Sequence, residues 1–154
     1  MMLKKLPVMV AIVLAAVAVM IPGLSGDDVQ ADPWSKAEIL PPDALAKVLN
    51  SSGPQPAVIC VAFPILYKQK HVLHAKFAGP TNKPEALKDL QELVKTLPKS
   101  SEIVIYCGCC PMQKCPNVRP AYRLLKDLGF THIRVLEIPT NFQTDWLDKG
   151  YPVD

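Results

Sequence analysis

The stretch "EIVIYCGCCPMQKCPNVRPAYRLLKDLGF", residues 102–130, holds four of the chain's five cysteines. Its first part, "EIVIY" and the cysteine after it, is a continuous apolar, β-branched run of the kind that forms a strand buried on both faces. Its last part, from Asn117, has helical apolar spacing and ends at Gly129, a helix stop; Pro120 is tolerated there only in a first turn. The cysteines therefore fall in a loop between a strand and a helix.

The segments outside this stretch repeat the alternation. Upstream, "LPPDALAKVLN" (40–50) is a proline-led helix with Leu45, Val48 and Leu49 on one side. "AVICVAF" (57–63) is a second buried strand, stopped by Pro64. A short helical turn and a small strand near Ala75 to Ala78 follow. Residues 81–100 form the clearest helix, with Leu87, Leu90, Leu93, Val94 and Leu97 on one stripe. Downstream, "HIRVLEIP" (132–139) is another strand. Strands alternating with helices predict an α/β domain: a central parallel sheet with helices on both faces. Ligands bind beyond the carboxyl ends of such strands, where the cysteine loop begins.

At 154 residues with a net charge of +3, the chain is sized for one domain and has no basic block, so nucleic acid is not an expected partner. The N-terminus, "MMLKKLPVMVAIVLAAVAVMIPGLSGDDVQA", joins Lys4 and Lys5 to a long apolar run and a Val29-Gln30-Ala31 ending. This pattern predicts a bacterial-type export signal over residues 1–31, removed in a periplasmic or secreted product. The alternative is an uncleaved membrane anchor, because Leu6 to Leu24 approaches bilayer length. Residues 32–154 then form the domain, in a compartment that permits disulfides.

A cysteine at a strand end facing a helix N-terminus is placed for nucleophilic chemistry, because unpaired N–H groups and the helix dipole favour the thiolate. Cys107 is the candidate nucleophile. The loop that would cradle it contains Gly108, Cys109, Cys110, Met112, Lys114, Cys115 and Arg119, the two cations being expected to attract an anionic donor. Cys109, Cys110 and Cys115 have two open readings: a structural disulfide of Cys115 with Cys109 or Cys110, or a redox role in which one of them resolves a modified Cys107. No resident metal is expected, since the spacing is not a paired C-x-x-C and the loop lacks His. If a metal does bind, Cys109, Cys110 and Cys115 are the ligands, suited to Cu(I) or zinc. Cys60, mid-strand, reads as core.

The order strand, Cys107, loop, helix, "LGF", strand and "DWLDKGYPV" resembles the rhodanese family, as does "VICVAFPILYKQKHVLHA", with Tyr67, His71, Val72 and Ala75 in matching places. The chain departs from that pattern at Cys60, Ala62 and Leu73-His74, and in a loop several residues longer than usual. The resemblance implies a single rhodanese-like domain. Its Cys107 would carry a persulfide and pass the outer sulfur to a thiol or cyanide-like acceptor, with a small anion such as thiosulfate as donor and no organic cofactor. It gives Arg119 the place of the arginine that ends the loop and leaves His71 a structural, turn-tying role.

Overall fold

The computed structural model describes residues 31–154; the expected export signal, residues 1–31, lies outside the described residues except for Ala31. Five strands build one sheet: β1 (Ile39–Leu40), β2 (Ala57–Cys60), β3 (Lys76–Phe77), β4 (Glu102–Tyr106) and β5 (His132–Leu136). The spatial order is β1-β5-β4-β2-β3, and every pairing is parallel. In β4, Ile103 to Tyr106 are all buried, so both faces of the sheet are covered, as the unbroken apolar run requires.

The helices are α1 (Pro42–Leu49), α2 (Pro64–Gln69), α3 (Pro84–Val94), α4 (Val118–Asp127) and α5 (Phe142–Asp145). The first three begin on a proline, which fits a first turn because its missing N–H would have had no partner there. α3 packs beside α4, burying Ala86, Leu90 and Val94, while α4 lies over β4 and β5 and buries Val118, Ala121, Tyr122 and Leu125. Among the described residues no helix is long and apolar enough to cross a membrane.

Two elements are absent from the sequence expectation. β1 is a two-residue edge strand held by pairing Ile39 with Val135 and Leu40 with Leu136. α5 is one short turn, capped by Asn141, whose side chain accepts from the Thr144 amide at 2.9 Å. The strand expected over 57–63 ends earlier, at Cys60. Val61 still donates to the Tyr106 carbonyl at 2.8 Å, and the chain then bends against Gly79, where a Cβ would lie 2.2 Å from the Ala62 oxygen.

The strand order determines where a ligand can enter. From β2 the chain moves outward to β3, then crosses back to β4 and moves outward the other way to β5. The carboxyl ends of β2 and β4 therefore flank the switch point at which a crevice opens.

Candidate active site

That crevice is a cavity of about 820 Å³, with Cys60 from the end of β2 and Tyr106 and Cys107 from the end of β4 in its wall. Phe142 of α5 and Tyr151 of the C-terminal segment face them, and Tyr67 of α2 adds another ring. Lys70 is the one cation among the described lining residues, which include no carboxylate.

The loop leaves β4 through Gly108, whose φ of +77° lies in the left-handed region. A side chain there would also put its Cβ 2.7 Å from that of Phe142, so this residue must be glycine on two counts. Phe142 N donates to the Gly108 carbonyl at 3.0 Å, and Met112 N to that of Ile138 at 3.0 Å, fastening the loop at both sides. A short 3-10 turn, Met112–Lys114, brings the chain back so that Cys115 precedes α4.

The result gathers the sulfurs. The Sγ atoms of Cys107, Cys109 and Cys115 all lie within 4.8 Å of one another. Cys107 is 3.2 Å from Cys109, which is 3.2 Å from Cys110. All five cysteines are free, so of the two readings of Cys109, Cys110 and Cys115 the disulfide is not formed here. The mutually close trio contains Cys107, where the ligand set named for the case that a metal binds has Cys110.

Charge sits elsewhere than the sequence argument placed it. A hydrogen bond from Cys107 and the backbone N–H groups of Asn117 and Val118 hold the Cys115 thiol down to about 6, well below an ordinary cysteine. Donation to Cys115, together with burial, pushes Cys107 upward. The two shifts are opposite in direction, as expected for two thiols that share one proton. Burial and a hydrogen bond to Cys109 push Cys110 up to about 12, and burial alone is the main cause that takes Cys60 to about 11.

Arg119 and Lys114 do not line the cavity. Arg119 is buried and committed: it donates to the carbonyl oxygens of Cys115 at 3.1 Å and Gln113 at 3.0 Å, and pairs with Asp32 at 2.5 Å. It is a clamp on the loop rather than an anion receptor. Lys114 is exposed on the loop's outer side. The cation at the cavity is Lys70, which sequence reasoning passed over.

Asn117 was also passed over as a site residue. Fully buried, it donates from Nδ2 to Cys107 Sγ at 3.4 Å and accepts at Oδ1 from the Asn82 amide at 3.1 Å. The available signal was its place at the helix start, where Asn is favoured as a cap; here its side chain turns to the sulfur instead. His71 keeps its expected structural role, with Nδ1 2.8 Å from the Tyr67 carbonyl and its ring stacked on Tyr67. Tyr67 in turn donates to the Ala75 carbonyl at 2.8 Å.

The fold is that of a rhodanese-like domain. The chain is similar to the rhodanese-like domain of an Anabaena protein, Alr3790, at 22% identity and a TM-score of 0.55, over 76% of this chain and 78% of that one. It is similar to the BH2092 protein of Bacillus halodurans at 21% identity and a TM-score of 0.58, over 75% of each chain. A third similar structure is a Saccharomyces cerevisiae single-domain sulfurtransferase, with 18% identity and a TM-score of 0.55, over 73% of this chain and 90% of that one. No family model and no curated protein matches the sequence.

Proposed function

We propose that the chain is a sulfurtransferase of the persulfide type, with Cys107 as sulfur carrier. The observation that supports this most is the position of Cys107, just past the end of β4 on the wall of a cavity large enough for donor and acceptor, with the sulfurs of Cys109 and Cys115 beside it. The similarity in fold to a named sulfurtransferase agrees with it.

The Cys107 thiol loses its proton to water in the cavity, and the resulting thiolate attacks the outer sulfur of a sulfane donor. With thiosulfate, the donor's S–S bond breaks, sulfite leaves with the electron pair, and Cys107 carries the transferred sulfur as a persulfide. A thiolate or cyanide then attacks that outer sulfur. Its bond to Cys107 breaks, the product leaves as an organic persulfide or thiocyanate, and the Cys107 thiolate returns. Asn117 Nδ2 holds the sulfur in place, and Lys70 at the cavity draws the anion in. The cycle uses no organic cofactor.

The test is thiocyanate formation from thiosulfate and cyanide. Turnover by the wild type that disappears in Cys107→Ser supports the reading, and turnover that persists in Cys107→Ser sinks it.

The 3.2 Å approach of Cys107 and Cys109 favours a second reading, a dithiol redox protein. There the Cys109 thiolate attacks the inner sulfur of the Cys107 persulfide, forming a Cys107–Cys109 disulfide and releasing hydrosulfide. Cys109→Ser separates the two, since it abolishes hydrosulfide release in the second and leaves thiocyanate formation in the first. Export stays part of the proposal on the strength of residues 1–31 alone. N-terminal sequencing of protein made in a bacterial host checks it, since a chain beginning at Met1 would contradict cleavage.

A further inference from the structure

A second, smaller pocket adjoins Cys107 and Gly108. Four sulfur-bearing residues line it, Cys107, Cys110, Met112 and Cys115, together with Val118, Leu136 and Ile138. It has no room for a water molecule. The Sγ atom of Cys109 completes a trio with those of Cys107 and Cys115, all within 4.8 Å of one another. Three sulfurs sharing one ion at about 2.3 Å stand about 4 Å apart, so little movement converts this trio into a ligand set.

We propose that Cys107, Cys109 and Cys115 form a three-sulfur site for a single Cu(I) ion, with the Met112 thioether beside it. The donor chemistry selects the ion. A ligand set of sulfur alone disfavours Mg²⁺ or Ca²⁺, which require oxygen ligands. Zinc structural sites want four N, S or O ligands in a tetrahedron and take no thioether, whereas Cu(I) accepts both kinds of sulfur. Asn117 Nδ2, which donates to Cys107 Sγ at 3.4 Å, orients that ligand from outside. Half-exposed Cys109 and Cys110, 3.2 Å apart, provide the entry route by exchange from one sulfur to the next.

The binding claim stands apart from the persulfide reading. Its consequence rests on that reading: an ion held by Cys107 removes the nucleophile, so copper and persulfide exclude each other. This would make the domain sensitive to the copper of its compartment.

The experiment titrates Cu(I) into the reduced full-length protein under anaerobic conditions, in competition with bathocuproine disulfonate. One copper retained per chain is expected, with affinity lowered about tenfold or more in Cys109→Ser and in Cys115→Ser and unchanged in Cys60→Ala. X-ray absorption of the loaded wild type, which does not depend on any variant folding, should show a shell of sulfur only. Copper surrendered entirely to the chelator, nitrogen or oxygen in the shell, or zinc held as tightly as copper would each overturn the proposal. Persulfide formation on copper-free protein is measured separately. Copper binding without persulfide leaves the metal site standing and sinks the enzyme reading, and the reverse result does the opposite.

Discussion

Asn117 Nδ2 donates to Cys107 Sγ across 3.4 Å while its Oδ1 accepts from the Asn82 amide, so one buried side chain ties the proposed sulfur carrier to the segment that leads into α3. The Asn117 carbonyl also accepts from Thr81 Oγ1 at 2.6 Å, which anchors the backbone independently of the side chain.

Asn117→Ala therefore removes a donor to sulfur without releasing the chain. A hydrogen bond to a charged group is worth about 1.5–3 kcal/mol, so the rate of persulfide formation should fall by about ten- to a hundredfold. Single-turnover kinetics with thiosulfate measures it. An unchanged rate would mean that the amide positions the loop and not the sulfur.

Gly108→Ala should destabilise the domain by about 1–3 kcal/mol, because it combines a left-handed backbone with a Cβ only 2.7 Å from that of Phe142. Urea unfolding followed by circular dichroism reads this directly. Gly53→Ala is the control: its φ is ordinary and its nearest contact, Ser51 Oγ at 3.5 Å, is an ordinary distance.

The fold was legible wherever burial alone decides the element. The runs at 57–60 and 102–106 are apolar without interruption because both faces of the sheet are covered there, and the stripe from Leu87 to Leu97 could only be a helix face. β1 was not legible, since Ile39-Leu40 becomes a strand only by pairing with β5, almost a hundred residues away. In the site, Cys107 was readable as a strand-end cysteine, but which sulfur meets the amides of α4 depends on how the loop folds back. Contacts such as Met112 with Ile138 leave no local trace. The same holds for Arg119, which reads as a free cation until Asp32, far back in the chain, is seen to neutralise it.

Arg119→Lys should loosen the loop although it keeps the charge, since an ammonium cannot span Cys115, Gln113 and Asp32 as the planar guanidinium does. Hydrogen exchange of the loop amides should accelerate, with Cys109 and Cys115 alkylated faster than in the wild type. Equal protection in the two proteins would deny Arg119 its clamp role.

Acid should weaken the contact between the N-terminal segment and α4. Tyr122 donates to Glu38 Oε1 at 2.5 Å and holds that carboxyl below its usual value, with Ser35 adding to the effect. A depressed carboxylate contributes stability at pH above its unfolded value and loses it as pH falls through the folded one. Tyr122→Phe should thus cost about 1 kcal/mol at pH 7 and progressively less toward pH 3, read as the gap between two unfolding curves. A gap that does not narrow with acid would assign the loss to packing alone.

The central claim is a sulfur held on Cys107, and intact mass of the reduced, copper-free protein before and after thiosulfate tests it most directly. Gain of a single sulfur atom, released by cyanide and absent in Cys107→Ser, is the predicted result. No gain, or a gain that Cys107→Ser retains, would contradict the account and leave the sulfur cluster to its metal or redox chemistry.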